Sequence, residues 1–129
     1  MKNAHQKYKT TSVQSASREK LLLMLYEACI NFIKKAIIAI EQKDIAGRGY
    51  NIGRAFDIIN ELNNTLDHKV GGDISKNLEQ LYMFMTEQLT QANITAKAEP
   101  LHVTLKLLNT LYSGWQEAIA KLKKEENAG

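Results

Sequence analysis

Apolar residues dominate the stretch from Leu21 to Ile40, where only Glu27, Asn31, Lys34 and Lys35 interrupt them. At about 100° per residue on a helical wheel, Leu22, Leu25, Tyr26, Cys29, Ile33, Ala36 and Ile40 share one arc. Leu21, Met24, Ala28, Phe32 and Ala39 form one flank of that arc, and Leu23, Ile30 and Ile37 form the other. A bundle helix needs an apolar stripe of only about 100° to face its core. This segment exceeds that width and leaves water a narrow strip at Lys20, Glu27, Asn31 and Lys34. Either the helix is enclosed on several sides, or part of its surface waits for a partner.

The rest of the chain carries narrower stripes. Ile52, Ala55, Phe56, Ile59, Leu62 and Leu66 mark a second helix that Asp44 can cap. Gly71-Gly72 breaks the pattern, and Asp73 is the expected cap of a third helix with Ile74, Leu78, Leu81, Met85, Leu89 and Ala92 on one face. After a loop near Ala96–Ala98, Pro100 suits the first turn of a fourth helix. Leu101, Leu105, Leu108, Tyr112, Trp115, Ile119 and Leu122 are in register along it to about Lys124. Ser17 is the expected N-cap of the first helix, which runs to about Gln42. No segment alternates as strands do. The expected fold is all-α: an antiparallel up-and-down four-helix bundle over residues 17–126, preceded by an N-terminal arm or short capping helix over residues 1–16.

Composition narrows the function. A chain of 129 residues makes one domain. Its net charge of +3, from 17 basic and 14 acidic residues, is too small to point to nucleic acid. Lys121, Lys123 and Lys124 are followed at once by Glu125 and Glu126, which reads as a solvated helix end. They leave a small helical nucleic-acid-binding module as the alternative function. Lysines at 34 and 35 would each cost about 2.5–3.5 kcal/mol in a membrane-spanning helix, and no cleavage site follows the apolar run. The expectation is a soluble cytoplasmic protein without membrane insertion. Cys29 is alone, so no internal disulfide forms, and its place on the apolar arc makes it a core residue.

Catalytic chemistry is hard to find. His5, His68 and His102 have no nucleophile or carboxylate spaced for a triad. Glu99-Pro100-Leu101-His102 supplies one Glu-x-x-His pair where a di-iron bundle needs two, and Gly47-Arg48-Gly49 lacks the preceding strand of a nucleotide loop. The reading is therefore no enzyme, no cofactor and no metal. Binding is better supported. Met83 and Phe84 lie about 160° and 100° from the core direction of the third helix. Apolar residues placed there, with the wide first helix, suggest a partner groove. Tyr82, about 60° from the core direction, suits either core or groove.

The chain resembles the FliS family of flagellar secretion chaperones. Tyr8, Val13 and Ala16-Ser17 resemble the family's arm, and Leu21-Leu22-Leu23-Met24-Leu25-Tyr26-Glu27 its first helix. The most specific stretch runs through Leu66-Asp67, Gly71-Gly72-Asp73-Ile74, Asn77-Leu78, Leu81-Tyr82, Phe84-Met85 and Gln91-Ala92-Asn93. Gly114-Trp115-Gln116-Glu117-Ala118 resembles the end of the last helix. The chain departs from the pattern at Arg18 (often proline), at Glu27-Ala28 (often Asp-Gly) and at Met83 (often acidic). The resemblance implies a cytoplasmic chaperone that binds the disordered C-terminal segment of flagellin, prevents premature polymerisation and docks on a flagellar export gate component when loaded. It implies a groove and arm that draw on Tyr8, Val13, Leu21, Met24, Phe32, Phe56, Tyr82, Met83 and Phe84. In this picture Tyr8 and Val13 cover apolar groove until flagellin displaces them.

Overall fold

The computed structural model describes the backbone of residues 4–128 and the side chains of residues 17–128. Four helices follow one another: α1 (Ala4–Glu41), α2 (Ile45–Asn64), α3 (His68–Thr95) and α4 (Glu99–Ala128). The links Gln42–Asp44, Thr65–Asp67 and Ala96–Ala98 are too short for anything but a reversal, so each helix runs back along the last. α1 packs on α2 and α4, and α3 packs on the same two, which closes a four-membered ring. Among the described residues there is no strand, and the expected antiparallel four-helix bundle is the fold.

Local chemistry sets the corners. Asp44 is extended at φ −86°, ψ 94° and its carboxylate accepts the Gly47 N–H at 3.0 Å, which makes it the expected cap. Lys43 at φ 58° and Ala96 at φ 56° take the left-handed conformation that commonly stops a helix. Pro100 sits in the first turn of α4, where its missing N–H costs nothing.

Three boundaries differ from expectation. α1 runs back to Ala4, so Ser17 lies inside the helix and is not its cap. The stretch before it is polar but holds no glycine or proline to stop a helix, and the expected arm or short capping helix is continuous with α1 in its backbone from Ala4. In α3 the cap is Asp67, not Asp73: its carboxylate accepts the N–H groups of Lys69 and Val70 at 3.0 and 3.1 Å. The break expected at Gly71-Gly72 is a kink within the element, with Gly72 at φ 51°, ψ −122°, a region that side-chain-bearing residues rarely enter. Finally, α4 continues past Lys124 to Ala128.

The kink also turns the helix face. Ile74, expected in the core, is 69% exposed, and Ser75 takes the inward place. The Ser75 hydroxyl donates to the Asp67 carbonyl at 3.0 Å, stapling the first turn to the helix beyond the kink. A Cβ on Gly71 would lie 1.8 Å from that hydroxyl oxygen, so the staple requires glycine there.

The core is continuous through the ring. Tyr26, Cys29, Ile33 and Ala36 of α1 meet Ile52, Ala55, Ile59 and Leu62 of α2, Leu78, Tyr82, Met85, Leu89 and Ala92 of α3, and Leu101 and Leu108 of α4. One polar pair crosses the centre: the hydroxyls of Tyr26 and Tyr82 are hydrogen-bonded at 2.5 Å. Thr104 is buried because its hydroxyl donates to the Pro100 carbonyl one turn back, at 2.9 Å. Leu122, expected in the core register, is 49% exposed, since the last buried position of α4 is Ile119.

Candidate functional site

The two flanks of α1 meet different neighbours. On one side Ile30 and Ile37 are each 7% exposed. Glu27 lies on the same side, and its carboxylate accepts a hydrogen bond from the Tyr112 hydroxyl of α4. On the other side the Phe32 ring meets Tyr50 of α2 edge-on, with centroids 6.4 Å apart and planes at 77°. There the cover is incomplete: Leu21 is 55% exposed and Met24 53%. The result is an apolar groove between α1 and α2.

Two hollows deepen it near the end of α2. One, of about 260 Å³, is lined by Arg18, Leu21, Leu22, Leu25 and Thr65. The second, of about 290 Å³, has walls that include Leu22, Thr65, Leu66, Val70, Ile74 and Trp115, with Tyr82 among the residues that line it. Leu22 and Thr65 border both, so the hollows meet at the α2–α3 corner. α2 ends at Asn64 while α1 continues, and this leaves Leu21 and Leu22 without a facing turn of α2. The staple through Ser75 fixes the turn that carries Val70 and so shapes the second wall.

Further along the groove two cations flank one ring. The Lys35 ammonium lies 5.6 Å from the centroid of the Phe32 ring, and the Arg54 guanidinium lies 5.5 Å from the same centroid. Elsewhere four ionisable groups are shifted by their surroundings. Burial pushes the Cys29 thiol up to about 12, which keeps it protonated and unreactive at neutral pH. Burial likewise raises the Tyr82 and Tyr26 hydroxyls, so both stay neutral in the core. Tyr112 is raised by its hydrogen bond to the Glu27 carboxylate, which holds the phenol proton in place.

The residues expected to bind a partner fall into separate places. Leu21, Met24 and Phe32 are brought together on the α2-facing flank of α1. Phe56 is half-buried on α2, packed against the core. Met83 and Phe84 are exposed on α3, at 55% and 39%. Phe84 lies on the flank away from Asn93, whose side chain accepts from Arg48 of α2 at 3.3 Å, and so points toward the α4 side. Tyr82 is 2% exposed and bonded to Tyr26, which places it in the core, and it also lines the second hollow. The side chains of Tyr8 and Val13 lie outside the described residues.

Several residues of this surface carried no warning in the sequence. Leu22 and Leu25 belong to the core arc yet line a hollow, because the neighbouring helix has ended. Val70 and Ile74 are exposed at 86% and 69% by the kink. Tyr50 is 63% exposed and off the stripe of its own helix, an apolar residue on a polar face that a search for such positions would have found.

A helical bundle that leaves apolar surface open beside a packed core offers the kind of surface on which polypeptides dock. The family model described as "Flagellar protein FliS" matches residues 1–122. A flagellar secretion chaperone FliS of Vibrio cholerae is 36% identical over 121 residues, covering 91% of this chain and 89% of the relative. Its counterpart in Bacillus subtilis is 32% identical over 127 residues, covering 98% and 94%, and that of Salmonella typhimurium is 31% identical over 118 residues, covering 91% and 87%. The chain belongs to the FliS family, and its role is that of a flagellar export chaperone.

Proposed function

We propose that the chain binds the disordered C-terminal segment of flagellin in the cytoplasm, keeps it from polymerising and delivers it to the flagellar export gate. It does so as a binding protein, without catalysis and without a cofactor. The observation that carries this reading is the half-exposure of Leu21 and Met24 on a helix whose opposite flank is buried. Such a surface takes the apolar face of an amphipathic helix. The hollows at Leu22, Thr65 and Trp115 offer places for individual side chains of the client. A segment that folds as it binds covers a wide surface while losing ordering entropy, so its grip remains reversible. That suits a chaperone that must release its client at the gate.

Calorimetric titration of the full chain with a peptide of the flagellin C-terminal segment tests this. Binding at micromolar concentration or tighter is expected, with a negative heat-capacity change from apolar burial. Absence of binding at those concentrations overturns the reading.

A further inference from the structure

We propose that the Phe32–Lys35–Arg54 end of the α1–α2 groove seats a carboxylate of the bound client segment and so fixes the register in which it lies. The proposal rests on the client-binding reading above. Two cations, one from each helix, lie 5.6 and 5.5 Å from the centroid of a single Phe32 ring. Tyr50 closes the ring's edge. The only ion pair among the described residues is that of His68 with Glu79, so neither cation is neutralised by a carboxylate of its own chain. Asp57, one turn beyond Arg54, makes no ion pair with it, and the Glu27 carboxylate is held by Tyr112.

Two unpaired cations beside one aromatic ring complement an anion in charge. The ring orients the ammonium and the guanidinium, and a guanidinium can grip a planar carboxylate through two parallel hydrogen bonds. Complementary charge at a groove's end sets orientation and register more than raw affinity. The apolar anchors at Leu21 and Met24 lie further along the same flank. From Met24 to Lys35 along α1 is about 16 Å at the helical rise of about 1.5 Å per residue. A helical client therefore carries its acid about three turns from the apolar residues that fill the groove.

The test uses the full chain and the flagellin C-terminal peptide in three forms: native, with its acidic side chains changed to amides, and with an amidated C-terminus. Neutralising the carboxylate that the clamp holds is expected to weaken binding to the wild-type chain about tenfold, and the two modified peptides show whether it is a side chain or the chain end. In the double variant Lys35→Met/Arg54→Met the native and neutralised peptides are expected to bind alike. Its affinity should also lose the fall that the wild type shows between about 50 and about 300 mM salt. Both sites are on the surface, and an unchanged melting temperature confirms that the variant is folded. As a second control, Leu21→Ser/Met24→Ser weakens binding but keeps the salt dependence. The clamp is overturned if neutralisation costs the same in wild type and double variant, or if both respond alike to salt. Tight binding of all three peptides by the wild type leaves the client reading standing and removes the clamp. No binding of the native peptide removes both.

Discussion

The two flanks of α1 are built from the same kinds of residue and meet opposite fates. Ile30 and Ile37, turned toward α4, are 7% exposed, whereas Leu21 and Met24, turned toward α2, are 55% and 53% exposed. Hydrophobicity does not separate them; the neighbour does. α4 spans Glu99–Ala128 and runs beside α1 with Tyr112 tied to Glu27. α2 stops at Asn64, and near Leu21 it offers only Thr65 at its end. The same apolar side chain is core where the opposing helix continues and open surface where it has ended.

Substitutions on the two flanks separate these roles, and the largest effects belong to the closed one. Ile30→Ala or Ile37→Ala removes buried methyl groups from a packed site and is expected to cost about 2–5 kcal/mol of stability each, read by chemical denaturation. A loss below about 0.5 kcal/mol at both would mean that this flank is as open as the other. Next comes the centre that both flanks enclose. Tyr82→Phe leaves the Tyr26 hydroxyl without its partner and is expected to cost about 1–3 kcal/mol. Adding Tyr26→Phe should recover part of that loss, since neither oxygen then remains unpaired.

The enclosed side also has a pH signature. A thiol or phenol whose pKa is raised on folding ionises first in the unfolded chain, so stability is intact below the unfolded pKa and falls as pH rises above it. For Cys29 that window opens near its ordinary value of 9.0 and extends to about 12. Tyr26 and Tyr82 add to the fall above 10.0. Alkaline titration of unfolding should show a slope approaching 1.4 kcal/mol per pH unit per group, by the usual linkage of protons to stability, or about that. Cys29→Ala is expected to flatten the part that starts near pH 9.0, and an unchanged slope would show the thiol to be open to water. The smallest stability effect lies on the open flank: Leu21→Ser and Met24→Ser should stay within about 0.5 kcal/mol while weakening the flagellin peptide.

Much of this architecture was legible in the sequence. The 3.6-residue stripes located four helices, and the Asp44 cap, the loop at Ala96–Ala98 and the place of Pro100 followed from local chemistry. The start of α1 was not legible, because Ser17 has the chemistry of a cap and the polar residues before it lack a stripe. Two aspartates flank the glycine pair, and only the hydrogen bonds show that Asp67 is the cap of α3. The inward turn of Ser75 at the expense of Ile74 depends on one positive φ at Gly72, which no periodicity records. The candidate surface was legible in part. The wide arc of α1 marked Leu21, Met24 and Phe32 as surplus to a core, but which flank stays open is set by where α2 ends. Tyr82 was ambiguous for a related reason: its angle fits core or groove, and in the fold it does both, bonded to a hydroxyl on α1 far away in sequence and lining the second hollow.

The order of the helices has a consequence in time. The closed flank of α1 is covered by α4, which leaves the ribosome after the other three helices. At about 5–20 residues per second, the thirty residues of α4 take seconds to synthesise. Through that interval α1 is bare toward α4 as well as along the groove that stays open in the folded chain. A chain that still lacks α4 is therefore stickier than the folded one, and the order of the helices sets how long that state lasts.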